Sequence, residues 1–584
     1  MQKILKHKYG VGVLVILFIA VIYLSTRFSY RADLTAEKRY SLTPATKTLL
    51  KNFDSIISIK VFLTGELPAD YKKLSIATKD LLDEFRALSG NRIQVSFEKP
   101  GENISNDTAK VMFYDSLSRM GVVFEQSESV KSEKQTNQLI IPSALVSFRK
   151  GQKPIAIDLR SSRKVYKQYN VVNDNLQQED VEATRNAAEA LLEFKFADAI
   201  DKLTRKKVPV IAYAMGNGEP FDFRVNDLGE SLRNEYILAK FDLKAGYPDA
   251  SIINALLIVK PTELFTEEDK LKLDQYVMNG GHIIWFIDKL HAEMDSLMNS
   301  QGKSQYTAFD RNLGLDELLF KYGVRINPDL VQDLNCSKMP FVIGKNPDGS
   351  PKMQRIPWPY YPFLSSHSNN PITKNLDRVL PIFPSSIDTV KAPGIIKTIL
   401  LATDTNSRRI SSPAIVSTNS VSSEEDLVSF NRSYVPVAVL LEGKFHSAYS
   451  NRVSTTVLDS IKRVTGKDFL SSSNKESKQI VVSDADIVTN YVSNTAGPLP
   501  MGELPFENYR FANREFLLNS IDYLTSTSNL FEARNKDFVL RLLDKTKVEE
   551  QRTMWQFINI ALPVFLVIIA GVFFQWQRKR KYNM

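Results

Sequence analysis

The sequence predicts an α/β protein in which two extracytoplasmic α/β domains, a small one and a larger one built on a parallel sheet, stand between N- and C-terminal transmembrane helices. Three observations lead there. Two uncharged runs, Tyr9–Thr26 and Trp555–Trp576, lie near the two ends of the 584-residue chain. Between them, β-branched runs alternate with segments of helical period, the pattern of strands joined by crossover helices. The composition, 43% hydrophobic and 24% charged, is that of material which mostly folds in water.

The first run, YGVGVLVILFIAVIYLST, has eighteen residues; as a helix it would rise about 27 Å, close to the hydrocarbon thickness. A cleavable signal peptide competes with this reading. No small-x-small site follows the run and no cysteine stands ready to accept lipid, so an uncleaved anchor is expected. The second run, WQFINIALPVFLVIIAGVFFQW, carries tryptophan at both edges, where amphipathic rings prefer the headgroup level. Arg578, Lys579, Arg580 and Lys581 follow it, and Lys3, Lys6 and Lys8 precede the first run. The positive-inside rule then puts both termini in the cytoplasm and the bulk of the chain on the other side of a bacterial inner membrane, in the periplasm. Asn559, Ala561, Ala570 and Gly571 are candidates for helix packing within the second span, because small residues allow close approach and a membrane amide needs a partner.

Those seven basic tail residues account for most of the formal net charge of +9 and leave +2 for residues 9–577. The body has no global footprint for a nucleic acid. One cysteine, Cys336, excludes an intramolecular disulfide and a cysteine-rich metal site.

In the body, SIISIKVFL (55–63), a helical-period segment at 71–89 and the alternating strand 93–98 form a βαβ unit, with Gly90 and Asn91 as the helix stop. A helix near 108–119 and further strands complete a small domain of loosely thioredoxin-like order, with an exposed hairpin tip at 126–137. Residues 174–204 are expected to form a long connecting helix. A second α/β domain opens with VPVIAYAMGNGEP (208–220) and continues through ALLIVK (255–260), a helix capped by Thr266 with Asp269 at N3, and HIIWFID (282–288). The stretch 336–430, rich in Pro, Ser and Asn, reads as an irregular insertion, after which strands return at 435–445 and 478–488 and a helix at 513–524. The predicted boundaries are 1–28 for the tail and first membrane helix, 29–170 for the membrane-proximal domain, 171–207 for the connecting helix and 208–530 for the larger domain. A juxtamembrane segment (531–552), the second membrane helix (553–577) and a basic cytoplasmic tail (578–584) follow.

Several segments in this order, among them DLTAEKRYSLTPATKTLL, GNGE, DQYVMNGGHIIWFID, PWPYYP, NPITKNLD, VAVLLEGKFHSAY, SDAD and NREFLLNSIDYL, carry a resemblance. The chain resembles the gliding-motility-associated ABC transporter substrate-binding protein, the G component, of Bacteroidetes, over nearly its whole length. The resemblance implies an auxiliary subunit working with an ABC permease subunit and a cytoplasmic ATPase subunit, and a larger domain similar to class I glutamine amidotransferases. It leaves the oligomeric state open, two copies per complex among the options. A solute-binding protein of an ABC importer is the alternative, and a degenerate amidotransferase-like hydrolase the third.

Candidate chemistry is sparse. Gly216, Asn217, Gly218 and Glu219 form a turn where a strand of an α/β sheet should end, the place where such folds bind ligands. The third glycine of a dinucleotide loop is missing and Pro220 removes a donor, so a structural turn is the favoured reading. Gly302, Lys303 and Ser304 imitate the end of a P-loop, but Leu297 stands where its first glycine belongs. An amidotransferase needs an activated cysteine with a histidine base; Cys336 lacks elbow glycines and neither His367 nor His446 is placed by a motif, so no enzyme activity and no cofactor are expected. Asp484 and Asp486 offer carboxylates for a cation, against the favoured reading of a solvated strand-end turn. Trp358, Tyr360 and Tyr361 make a rigid aromatic segment that covers a core or meets a partner, and both readings stay open.

Overall fold

The computed structural model describes residues 41–582 together with Ile16, Phe18 and Ile19, apart from 132–133, 150, 162–165, 172–173, 299–304, 422, 494, 508, 527–529 and 535–544; side chains are left out also at 127–138, 162–179, 182, 532 and 545–549. Most of the predicted first span and the segment Gly302–Ser304 lie outside the described residues. The chain forms two compact units, residues 1–537 and 538–584.

From residue 41 on, the first unit shows helix α1 (Pro44–Lys51), whose Thr43 cap and N1 proline meet the demands of a helix start. Strands β1 (Ile57–Val61) and β2 (Ile93–Phe97) pair in parallel across helix α2 (Ala69–Leu88), the expected βαβ unit. The helix stops where Gly90 and Asn91 take left-handed backbone angles. After helix α3 (Asp107–Arg119) comes the hairpin of β3 (Glu125–Lys131) and β4 (Lys134–Ile140), in the region expected to be a hairpin tip. Strands β5 (Ser143–Ser147) and β6 (Ile155–Asp158) complete a four-stranded sheet of order β2-β1-β5-β6. A second hairpin, β7 (Tyr166–Val171) with β8 (Asp174–Glu179), precedes helix α4 (Val181–Thr204).

The expected connecting helix therefore differs from the observed one. It starts at Val181, after a strand, and it is part of a core. Ala188, Leu192, Phe196, Ala197 and Ile200 are buried with Ile57, Ile59, Leu82 and Phe85 of the small sheet and its helix. A helix this apolar contributes more by burying that face, at roughly 25 cal/mol per Å², than it could as a spacer. The chain returns to α4 at the end of the unit, where Leu530 joins the same core and the Phe531 and Phe194 rings stack at 6.3 Å. The start of the predicted juxtamembrane segment is thus core material.

The larger sheet has eight strands in the order β10-β9-β11-β12-β24-β23-β20-β18. Its first half comprises β9 (Val210–Met215), β10 (Ile237–Asp242), β11 (Ala255–Val259), β12 (His282–Phe286) and β24 (Ser477–Val482), all parallel. Helices α5 (Asn226–Glu235) and α6 (Glu267–Met278) lie between these strands in the chain. Every residue of β11 is buried, as a strand covered on both faces requires. Ala255, Leu257 and Val259 face one core with Leu228 and Leu232 of α5; Leu256 and Ile258 face the other with Leu273, Tyr276 and Val277 of α6. The Thr266 and Asp269 side chains form the full capping box on α6. Beyond its end a Cβ on Gly281 would overlap the Tyr276 ring, so only glycine lets α6 pack this closely on β12.

The expectation of a parallel sheet with crossover helices holds for five strands and is corrected for the other three, and the expectation of an irregular 336–430 is corrected as well. That stretch follows β13 (Gln305–Ala308), β14 (Val324–Ile326) and β15 (Asp329–Asp333) and is threaded with strands: a long hairpin of β16 (Cys336–Lys345) and β17 (Pro351–Pro362), then β18 (Ser365–Ser366), β19 (Ile387–Thr389), β20 (Ile395–Ala402), β21 (Ser407–Ser411) and β22 (Ala414–Ser417). Strands β18 and β20 extend the main sheet through β23 (Pro436–Gly443), which runs antiparallel to β24. The sheet is mixed. β13, β14 and β15 pair antiparallel with β22, β19 and β21, partners far off in sequence, so no local period announces them. Helices α7 (Thr455–Thr465) and α8 (Asn513–Thr525) follow, and Phe516, Leu517, Ile521 and Leu524 of α8 join α5 over one face of the sheet.

The second unit contains helix α9 (Lys545–Tyr582), in which Glu550–Arg580 is long and apolar enough to cross a membrane. Asn559, Ala561, Pro563, Ala570 and Gly571 all lie within it.

Candidate functional site at the carboxyl edge of the sheet

Three strands of the parallel half deliver charged residues to one place. Lys260 immediately follows β11, Asp288 comes two residues after β12, and Asp484 two residues after β24. This is the carboxyl edge of the sheet, where open α/β folds hold their ligands. Lys260 has a φ of 48°, a left-handed angle that is costly for a non-glycine residue. Its backbone N–H donates to the Phe286 carbonyl at 2.9 Å, and its ammonium reaches Asp486 Oδ1 at 2.6 Å and Asp288 Oδ2 at 3.3 Å.

The carboxylates are held from outside as well. Asp484 accepts the Ile382 N–H at 2.5 Å and the Asp486 N–H at 2.7 Å; Asp288 accepts the Ala485 N–H, and Asp486 the Thr489 hydroxyl, each at 2.7 Å. Burial raises the Asp484 carboxyl well above its ordinary value, with the Asp486 and Asp288 charges adding to it, and burial raises Asp288 also. The Lys260 ammonium moves up instead, because the Asp288 and Asp486 charges outweigh its burial. Tyr361, buried nearby, has its phenol pushed up by burial and then by Asp486. One oxygen from each of Asp288, Asp484 and Asp486 lies within 4.8 Å of the others, a spacing that suits a cation. The Lys260 ammonium stands beside Asp288 and Asp486 as one countercharge to the three carboxyls.

The expectation of solvated carboxylates is corrected, since Asp484 is only 1% exposed. Sequence reasoning singled out Asp484 and Asp486 but missed Lys260 and Asp288. The signal for both was a charged residue ending a buried-type strand, in ALLIVK and HIIWFID.

The Gly216–Glu219 turn stands at the same edge, after β9, and is folded onto itself. Gly216 and Gly218 have φ of 116° and 81°. The Glu219 carboxylate accepts the Asn217 N–H at 2.7 Å, and the Asn217 carbonyl accepts from the backbone of Thr262 and Glu263 at 3.0 and 2.9 Å. A Cβ on Gly218 would overlap the Thr262 hydroxyl. A phosphate would need backbone donors here, and the Glu219 carboxylate occupies the one that Asn217 offers. The turn has the geometry of a structural clasp.

Trp358, Tyr360 and Tyr361 are 1%, 0% and 3% exposed, packed with Met339, Leu380, Phe383 and Phe511. They are core residues and not exposed anchors, because β17 turns inward along its second half. Cys336 is buried and its thiol is pushed up to about 12, mainly by burial, which keeps it protonated and unreactive. His367 stacks on Tyr434.

A family model described as an ABC-type uncharacterized transport system matches residues 208–520, more than half of the chain, and a model of a domain of unknown function matches 36–147. No curated protein matches. Among solved structures, the mmIFT52 N-terminal domain is similar at 14% identity and a TM-score of 0.29, over 54% of this chain and 97% of that one. A putative ThuA-like protein from Parabacteroides merdae ATCC 43184 is similar at 11% identity and a TM-score of 0.25, over 56% and 92%. The exo-β-1,4-mannosidase Op5Man5 from Opitutaceae bacterium strain TAV5 follows at 11% and 0.20, over 51% and 35%.

Proposed function

The chain belongs to the ABC-type uncharacterized transport system family, and from that premise we propose that it is a non-enzymatic auxiliary subunit coupling a periplasmic body to an ABC permease, with ATP hydrolysed by a separate cytoplasmic ATPase subunit. The family match, which covers the whole larger sheet, carries this reading. The apolar helix α9 makes the protein membrane-associated. In the proposed arrangement the Tyr9–Thr26 run is a second span, both termini are cytoplasmic, and residues 29–552 lie in the periplasm. The resemblance to the gliding-motility G component of Bacteroidetes extends the proposal to gliding motility and surface secretion.

A non-enzymatic role is supported by the chemistry at the two places where an α/β enzyme would react. At the carboxyl edge Lys260 is paired with Asp288 and Asp486, and burial holds the Cys336 thiol protonated. The test is purification of the tagged full chain from its native membrane. A permease and an ATPase recovered in fixed proportion support the proposal; recovery of the chain alone, from gentle detergent and with the helix α9 intact, rejects it.

A further inference from the structure

Away from the carboxyl edge, a cavity of about 590 Å³ opens beside β21 and β22, within the size range of small-molecule sites. Tyr360, Arg408, Ile415, Ser417, Ser420 and Ser429 are among its lining residues. The two neighbouring arginines on β21 differ in their partners. Arg409 is neutralised by Asp329 at 2.5 Å, with Asp388 at 3.7 Å. Arg408 has no carboxylate within ion-pair distance among the described residues. Its Nε donates to Gln332 Oε1 at 2.6 Å, Nη1 to Ser429 Oγ at 2.8 Å and Nη2 to the Ser420 carbonyl at 2.7 Å, all neutral acceptors. The guanidinium carbon stands 4.4 Å from the Phe430 ring centre.

This arrangement fixes the fork without a direct ion pair, the Asp426 carboxylate acting on it only from a distance. A guanidinium has five N–H donors, and three are used, so one remains on each terminal nitrogen. Unused donors on a fixed guanidinium are what an oxyanion recognises. Burial pulls the Arg408 guanidinium down from its ordinary value, further than the Tyr360 phenol and the more distant Asp426 carboxylate hold it up. Beneath it Gln332 is fully buried, and its Nε2, beside the Tyr360 hydroxyl, makes no well-formed hydrogen bond, a shortfall that native structures rarely leave without a reason. The Ser417 hydroxyl accepts from the Asn419 N–H at 3.2 Å, so its own proton remains to be donated.

We propose that this cavity binds a small soluble phosphate-bearing solute, with Arg408 as the charged anchor and Ser417 as a neutral donor. The cavity is larger than a bare phosphate, so the oxyanion is one end of a bigger molecule. The site lies within one chain and does not depend on the transport-complex reading, so either can fail alone.

The test is calorimetric titration of the detergent-solubilised full chain, at constant ionic strength, with inorganic phosphate and with glucose 6-phosphate as a larger probe. Saturable binding is expected, tighter for the sugar phosphate. Arg408→Gln should weaken it by roughly tenfold or more, the worth of a charge-assisted hydrogen bond. Ser417→Ala leaves the Arg408 contacts in place and should weaken binding several-fold with an unchanged melting temperature; if Arg408→Gln does not fold, this variant together with Arg408→Lys decides. No saturable heat for either probe up to about 10 mM, a concentration that corresponds to only ~2.7 kcal/mol of affinity, overturns the proposal. So does binding that a folded Arg408→Gln variant retains in full.

Discussion

Replacing Lys260 by methionine keeps the length of the side chain and removes the one positive charge from the carboxyl-edge cluster. The ammonium sits 2.6 Å from Asp486 and 3.3 Å from Asp288, and both it and its partners are nearly out of water. Removing one partner of a buried ion pair costs about 3–5 kcal/mol, because the remaining charges stay buried without compensation. At about 2 °C per kcal/mol for a large domain, the melting temperature should fall by roughly 6–10 °C. The assay is thermal unfolding of the full chain followed by near-ultraviolet circular dichroism, which reads the packed Trp285 and Trp358. The deficit should also depend on pH. Asp288 and Asp484 have raised folded pKa values, so the stability they contribute is present in full below the ordinary aspartate range and is lost as pH rises through the folded values. Without Lys260 that loss grows, and the variant should recover toward the parent as pH falls toward 4. Adding Asp486→Asn should restore part of the stability at neutral pH. A melting temperature within 2 °C of the parent, equal at pH 5 and pH 8, would refute the account of a dry, mutually compensated network.

Three further outcomes are expected. Burial and the Lys478 charge lower His282 to about 4, and its Nδ1 accepts the Lys478 N–H at 3.1 Å, so the folded state holds it neutral. Its stability contribution is present above about 6.5 and is lost as pH falls through 4, and His282→Gln should flatten the acid limb of a stability-against-pH curve. Gly281→Ala forces a methyl group into the Tyr276 ring and should destabilise by about 1–3 kcal/mol, measured by urea denaturation; an unchanged midpoint would mean that the ring moves freely. Replacing Trp555–Trp576 with an uncharged leucine-rich span of equal length should preserve membrane insertion and reduce copurification with the permease proposed as its partner, through loss of Asn559, Ala561, Ala570 and Gly571. Normal assembly of that chimera would reduce the helix to a tether.

What is readable in the sequence alone is what neighbouring residues impose on one another. The parallel half of the larger sheet was legible because ALLIVK and HIIWFID are short apolar runs and the helix between them carries its own cap, Thr266 with Asp269. The βαβ unit at β1, α2 and β2 was legible for the same reason, as was the apolar helix α9 from its length and the absence of charge. Membership of α4 in a core was not, since an apolar helix looks the same whether it spaces two domains or packs on one.

Long-range pairing decided the rest. Strand β20 lies inside a Pro- and Ser-rich stretch and acquires its place only by hydrogen bonding to β23, more than thirty residues on. β15 and β21 are likewise ordinary pentapeptides until they meet, and their meeting is what brings Gln332 under Arg408 beside the cavity. At the carboxyl edge the sequence marked Asp484 and Asp486 as two acids on one turn. Whether they were solvated or buried depended on the ends of β11 and β12, which bring Lys260 and Asp288 to them from over two hundred and nearly two hundred residues away. Sequence alone records each charge, whereas its countercharge, and with it the cost of its burial, exists only once the sheet has set the order of its strands.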